Sequence, residues 1–226
     1  MPVFQLDQNI AFPPPQLARE DGLLALGGDL SPERLLLAYS LGIFPWYSPG
    51  EPILWWAPDP RLVLFPDELK ISRRLSRTIR QGIFTITFDR DFKTVIRSCA
   101  EAKRNSGPAG TWLDEEMIEA YTRLHELGYA HSVECWKNDI LVGGLYGVAL
   151  GKVFFGESMF SLERDSSKIA LAALVGKLKS CGFDCIDCQV RTEHLIRMGA
   201  REISGNTFRK ILARHIDQPK TLRSHT

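Results

Sequence analysis

Residues 130–160 read "AHSVECWKNDILVGGLYGVALGKVFFGESMF". Three apolar runs are separated by two turn signals, Lys137-Asn138-Asp139 and the neighbourhood of Gly151. This spacing predicts three consecutive antiparallel strands, because turns this short join only neighbours that reverse direction. The segments that follow decide the fold. "SSKIALAALVGKLKS" (166–180) predicts a long helix stopped by Gly182, and "FDCIDCQV" (183–190) predicts a further strand beside the meander.

Toward the N-terminus, "RLVLF" (61–65) reads as a strand, "SRRLSRTIRQ" (72–81) as a helix and "FTITF" (84–88) as a half-buried strand. "DFKTVIRSCAEAKR" (91–104) reads as a helix, and "SGPAG" (106–110) as a loop carrying Trp112 at its end. "DEEMIEAYTRLHELG" (114–128) predicts a helix with acids in its first turn and Gly128 as its stop. "EHLIRMG" and "FRKILARH" read as short helices near the C-terminus, and residues 217–226 as a loose tail. The first sixty residues have a different texture. They are turn-rich and contain one clear helix, capped by Ser31, opened by Pro32 and stopped by Gly42. After it comes "GIFPWYSPGEPILWWAPDP" (42–60), with five prolines and Trp46, Trp55 and Trp56, in which no helix or strand period is visible. The change in texture predicts a small N-terminal domain over 1–62 and a larger one over 63–226.

The fold class is therefore α+β. The order of helices, three-strand meander, long helix and adjacent strand resembles the acyl-transferring fold of the GCN5-related N-acetyltransferases. Those enzymes cradle the pyrophosphate of coenzyme A on a Gly-rich turn that opens the long helix. Here that junction reads "SLERDSSKIA" (161–170) and holds no glycine, so close backbone approach to a pyrophosphate is not provided for. This departure from the acetyltransferase pattern points to an acyl donor other than acetyl-CoA.

Composition excludes little but excludes it firmly. A net charge of +1 over 226 residues gives no global basicity, so any nucleic-acid site must be local. No apolar run approaches the length of a membrane span, and "MPVFQLDQNIAFPPP" is no signal peptide. Five cysteines, an odd number, suit a reducing compartment and predict a cytoplasmic protein. Cys185 and Cys188 form a C-x-x-C, but strand alternation sends their sulfurs to opposite faces, and no second cysteine pair or spaced histidine pair completes a zinc site. His125 and His131 lack metal-helix spacing, and no nucleophile elbow or P-loop occurs. Neither a metal nor a cofactor is expected.

The same alternation puts Asp187 and Gln189 on one face of the strand, roughly 7 Å apart at Cα, with Ile186, Cys188 and Val190 on the other. A carboxylate and an amide on an otherwise apolar central strand are costly unless partnered. They read either as a hydrogen-bonded pair holding neighbouring loops or as a proton acceptor with a positioning group. Glu157 interrupts "KVFFGESMF" in the same way, and Gly156 beside it predicts a bulge. With regular pairing, Phe154 and Ser158 point away from Phe155 and Glu157. Arg73, Arg74, Arg77 and Arg80 crowd one short helix, and the 73, 77, 80 spacing places three on one stripe. That stripe reads as a solvated face or as a set of phosphate contacts.

"FPPP" (12–15), "DGLLALGGDLSPERLLLAYSLGIFPWYSPGEPILWWAPDPR" (21–61), "GTWL" (110–113), "LVGGLYGV" (141–148), "FFGESMFS" (154–161) and "IDCQV" (186–190) together resemble the leucyl/phenylalanyl-tRNA protein transferases, over about residues 10–215. That family moves Leu, Phe and, less well, Met from aminoacyl-tRNA to the N-terminus of proteins that begin with Arg or Lys, marking them for the N-end rule degradation pathway. The resemblance implies that Asp187 and Gln189 are a catalytic pair and Glu157 an active-site acid. In this mechanism Asp187 draws the proton or positive charge of the acceptor amine through Gln189. It also implies that Trp46 and Trp112 surround the 3′-terminal adenosine and that Phe154 walls the side-chain pocket. Leu145 and Leu174 are further wall candidates. Some members carry Met and Phe at these two positions, so the pocket volume differs between members. Proline-fixed aromatics suit such a platform, since a base stacks on an aromatic ring for about 1–3 kcal/mol. Trp55 and Trp56 suit a seal between domains instead. Two other classes compete: an N-acyltransferase with another donor, against which the missing glycine turn argues, and a non-catalytic tRNA-binding protein, which would not need a polar pair on a core strand.

Overall fold

The chain builds two sheets in succession. A computed structural model describes residues 3–104 and 113–216. Strands β1 (Phe4–Leu6) and β2 (Leu23–Gly27) come first, then helix α1 (Pro32–Leu41), β3 (Phe44–Pro45) and β4 (Leu54–Trp56). The larger part follows with β5 (Arg61–Leu64), α2 (Arg73–Arg80), β6 (Thr85–Phe88), α3 (Phe92–Arg104) and α4 (Glu115–Glu126). The meander is β7 (Ala130–Lys137), β8 (Ile140–Leu150) and β9 (Val153–Ser161). It is followed by α5 (Ser166–Ser180), β10 (Cys185–Gln189), α6 (Glu193–Arg197), β11 (Arg201–Ile203) and α7 (Gly205–His215). The loop read over 106–110, Trp112 and the tail over 217–226 lie outside the described residues.

In the first part, α1 forms as its sequence predicts. Ser31 Oγ accepts from the Arg34 backbone N–H at 3.4 Å, and Gly42 stops the helix at φ 77°, a conformation glycine adopts without penalty. The turn-rich remainder holds a four-stranded sheet, ordered β1-β2-β4-β3, that the sequence pattern did not announce. Its strands run two to five residues, too short for alternation to be visible. The Pro- and Trp-rich segment supplies two of them, with Phe44 opposite Trp56 and Pro45 opposite Trp55. Trp55 is wholly buried, donates from its indole Nε1 to the Gly27 carbonyl at 2.8 Å and meets Phe12 edge-on at 4.8 Å. It serves the core.

The seven-stranded sheet is ordered β11-β5-β10-β9-β8-β7-β6. The meander forms as predicted, and β10 returns parallel to β9 after the α5 crossover. Edge strand β11 has three residues, too few for alternation to show in the sequence. One face packs on α5, through Ile169, Leu171, Leu174 and Leu178 against Leu145, Ala149, Phe154 and Ile186. The other face packs on α1, α3, α4 and α7, through Tyr39, Val95, Tyr121 and Phe208 against Tyr146, Val148, Phe155 and Cys185. Each face is a continuous apolar core, and buried apolar surface of this kind contributes about 25 cal/mol per Å².

Two irregularities break the sheet where the candidate residues lie. Between β8 and β9, Tyr146 pairs with Ser158 and Gly147 with Gly156, so Glu157 is an extra residue with no partner. This is the bulge that Gly156 predicted. Gly147 is required opposite it, since a β-carbon there would collide with the Phe155 carbonyl oxygen and the Phe154 ring. Between β10 and β5, Asp187 pairs with Val63 and Gln189 with Leu62, leaving Cys188 extra. Beyond the Asp187–Phe155 pair the β9–β10 ladder ends, although both strands continue. The two strands part there and leave room between them.

Candidate active site

A cavity of about 330 Å³ is lined by residues of both parted strands. Leu145, Phe154, Leu174 and Ile186 form apolar walls, Phe44, Pro45 and Trp46 come from the small sheet, and Glu157 and Gln189 bring the polar groups. The sequence placed Phe154 and Glu157 on opposite faces. Both line the cavity although Glu157 keeps to the side of Phe155, toward Tyr39 and Tyr121, because the cavity between the parted strands reaches both faces of the sheet.

Glu157 is 8% exposed. Its Oε1 accepts from Gln189 Nε2 at 2.8 Å and its Oε2 from the Tyr121 hydroxyl at 3.1 Å. Tyr121 is in turn hydrogen-bonded to the Tyr39 hydroxyl, and both rings are fully buried. Burial pushes the Glu157 carboxyl up to about 7, against hydrogen bonds from Tyr39 and Tyr121 that favour its charged form. The negative charge of Asp187 raises it further and the positive charge of Arg61 lowers it. A carboxyl held near neutrality exchanges protons at physiological pH, which an ordinary glutamate does not.

Asp187 is not among the residues that line the cavity. Its carboxylate is wholly buried and is gripped by Arg61, whose Nε donates to Oδ1 at 2.8 Å and whose Nη2 donates to Oδ2 at 2.6 Å. Oδ1 also accepts the Gln189 backbone N–H at 2.8 Å. Gln189 sits at φ 62°, which breaks the strand alternation: its side chain joins Ile186 and Cys188 in the cavity lining instead of following Asp187. Asp187 and Gln189 are thus linked through the backbone, while the Gln189 side chain binds Glu157. The expected passage of a proton through the Gln189 amide to Asp187 has no hydrogen bond to follow.

Trp46, Leu145, Phe154 and Leu174 meet Glu157 and Gln189 around the one cavity. Trp46 is 45% exposed, with Trp56 donating from its indole Nε1 to the Trp46 carbonyl at 2.6 Å and its ring 5.8 Å away. Arg73, Arg77 and Arg80 are exposed on α2 and make no ion pair among the described residues. Arg74 is separated from that set, donating to Asp165 at 3.1 Å. Cys185 faces one core and Cys188 the other, and burial pushes both thiols up. Among the described residues, no His, Cys, Asp or Glu side chains are grouped to hold a metal ion, and no helix is long and apolar enough to cross a membrane. Arg61, Tyr39 and Tyr121 escaped the sequence reading. The signal was indirect: each buried carboxylate requires a donor, and the local sequence does not say which residue supplies it.

The family model described as "Leucyl/phenylalanyl-tRNA protein transferase" matches residues 63–213, and the model of that family's N-terminal domain matches residues 28–59. A relative from Syntrophobacter fumaroxidans is 61% identical over 96% of this chain and 93% of its own. One from Desulforapulum autotrophicum is 60% identical over 92% of this chain and 90% of its own. Both are named leucyl/phenylalanyl-tRNA protein transferase. Among solved structures, a GCN5-related N-acetyltransferase from Kribbella flavida aligns over 80% of this chain and 63% of its own, at 11% identity and a TM-score of 0.39. With both halves matched and identity this high over nearly the whole length, the chain belongs to the leucyl/phenylalanyl-tRNA protein transferase family.

Proposed function

We propose that this protein transfers leucyl and phenylalanyl groups, and methionyl groups less readily, from aminoacyl-tRNA to the α-amino group of proteins that begin with Arg or Lys, the mark of the N-end rule pathway. The observation that carries this reading is one cavity in which apolar walls and the Glu157–Gln189 pair meet. The names of the relatives point to leucyl- and phenylalanyl-tRNA as donors and to protein as the acceptor.

The chemistry needs little more than this cavity. An aminoacyl ester is already activated. The acceptor ammonium loses a proton, its nitrogen attacks the ester carbonyl, and the bond to the ribose oxygen breaks as that oxygen takes up a proton. Ester and amine become amide and alcohol, with no ATP consumed. Glu157 is suited to take the ammonium proton, since burial holds its carboxyl at about 7. Gln189 is suited to orient the amine. Its Nε2 is committed to Glu157, which leaves the amide oxygen to accept an N–H of the nucleophile. Leu145, Phe154 and Leu174 would hold the donor side chain. Trp46 would stack on the terminal adenine, as would Trp112 by its sequence match, and the exposed arginines of α2 would meet tRNA phosphates. In this reading Asp187 acts on Gln189, not on substrate.

A single-turnover assay with labelled Leu-tRNA and a peptide beginning with Arg tests the proposal. Transfer of label to the peptide supports it. Transfer from acetyl-CoA, or binding of tRNA without transfer, would replace it with one of the competing classes.

A further inference from the structure

We infer that Arg61 is a positioning residue of the transfer reaction: its guanidinium orients the Asp187 carboxylate that fixes Gln189 against Glu157. The inference rests on the transfer reading above and goes beyond it to a residue to which the sequence assigned no role.

Arg61 opens β5, is 1% exposed and reaches Asp187 through two near-parallel hydrogen bonds of 2.8 and 2.6 Å. Such a fork fixes a carboxylate in rotation as well as in place, which an ammonium group does not do. The orientation matters because Oδ1 must also meet the Gln189 backbone N–H, at 2.8 Å. That N–H belongs to a residue at φ 62°, where a glutamine is strained. The hydrogen bond compensates for the strain, and the bend it maintains turns the Gln189 amide toward Glu157. A carboxylate free to rotate would release the bend.

The guanidinium is itself held. It lies between the rings of Phe44 at 4.7 Å and Phe208 at 4.9 Å. Phe44 also lines the cavity beside Pro45 and Trp46, and Phe208 belongs to α7. Arg61 therefore ties the small sheet and the C-terminal helix to the Glu157–Gln189 pair. Stability is weak grounds for the pair, since replacing a buried ion pair by well-packed apolar side chains of the same volume is often neutral or stabilising. Their charges also act in opposite senses on Glu157, which is faced by Tyr39, Tyr121, Tyr146, Gln189, Asp187 and Arg61. Asp187 disfavours its ionisation and Arg61 favours it.

Three variants of the full chain test the inference: Arg61→Lys, Arg61→Met, and Arg61→Met combined with Asp187→Asn, which leaves no buried unpaired charge. Folding is checked by thermal unfolding, transfer by single-turnover kinetics with Leu-tRNA, and Glu157 ionisation by its side-chain carboxyl ¹³C titration, identified by its loss in Glu157→Gln. Arg61→Lys should fold, keep the Glu157 titration in place and lower the transfer rate by about tenfold or more with donor affinity nearly unchanged. Arg61→Met should move the Glu157 titration to higher pH. The double variant should return the titration toward its wild-type position while transfer stays slow. Wild-type transfer by both Arg61→Lys and the double variant would overturn the inference. So would a folded Arg61→Met in which Glu157 titrates as in wild type. Should Arg61→Met not fold, the other two variants decide. If the wild-type protein transfers nothing, the transfer reading fails, and the Glu157 titration, which needs no substrate, still decides whether Arg61 acts on the pair.

Discussion

Gln189 and Glu157, 32 residues apart in the chain, are joined by a 2.8 Å hydrogen bond between strands that have stopped pairing. Two bulges produce it. One makes Glu157 an extra residue of β9, and the other precedes the left-handed turn of Gln189 at the end of β10. A regular sheet would bury both side chains among packed strands. Here they meet at a cavity, within reach of a substrate.

Glu157→Gln should lower the transfer rate and abolish its dependence on an ionisation near pH 7, because the raised carboxyl must be ionised to accept a proton. Stability should respond in the opposite sense. A carboxyl whose pKa rises from 4.5 to about 7 on folding binds more protons in the native state between those values, so its contribution falls as pH rises through that window. The contribution is on the order of 3 kcal/mol, at about 1.4 kcal/mol per unit. Thermal unfolding of wild type and variant at pH 5 and pH 8 checks the sign: the variant should gain on wild type as pH rises.

Asp187→Asn should affect rate far more than aminoacyl-tRNA affinity, since Asp187 lies behind the cavity and acts through Gln189. It leaves Arg61 buried without an anion, so the melting temperature should fall, by an amount equivalent to about 3 kcal/mol or more. Loss of the Asp187 charge should also move the acidic limb of the rate profile to lower pH. A variant that transfers at the wild-type rate would remove Asp187 from the reaction.

What was legible in the sequence follows a physical divide. The meander, α5 and β10 are long enough for their periods to show, and the order of elements could be read from them. Strand β3 has two residues and β4 three, so the Pro- and Trp-rich segment hid its own sheet. The polar interruptions at Glu157, Asp187 and Gln189 marked the candidate site, because buried polar groups on apolar strands demand partners. Their relative placement was misread because alternation assumes a regular strand, and the bulge at Cys188 suspends it. Arg61, Tyr39 and Tyr121 are joined to those residues only by tertiary structure, and nothing in their local sequence names their partners.

Removing Arg73, Arg77 and Arg80 together should weaken tRNA binding and flatten its salt dependence by up to about 0.7–0.9 log unit for each phosphate that is no longer neutralised. Arg74 is left in place because it is paired with Asp165 at the start of α5. Transfer from a minimal aminoacyl-adenosine donor should be nearly unaffected, since that donor carries no tRNA backbone. An unchanged salt slope would make the stripe a solvated face.

Donor choice should follow the shape of the cavity walls. Leu145, Phe154 and Leu174 are each at most 3% exposed and all line the cavity, so any donor side chain placed there is desolvated. Burial contributes about 0.8 kcal/mol per CH₂ and excludes charged side chains. Among apolar donors only shape discriminates, and a single methylene is worth about 1–3 kcal/mol. Leu145→Trp should fill part of the cavity and penalise Phe more than Met, because the unbranched Met side chain bends around an intrusion. Leu145→Ala should enlarge the cavity and relax discrimination against bulky donors. The measurement is relative kcat/KM for Leu, Phe and Met on one tRNA body, so that the tRNA backbone contributes equally to all three. If both variants fold and all three ratios stay at their wild-type values, the donor side chain does not enter this cavity, and the wall assigned to Leu145 belongs to the core alone.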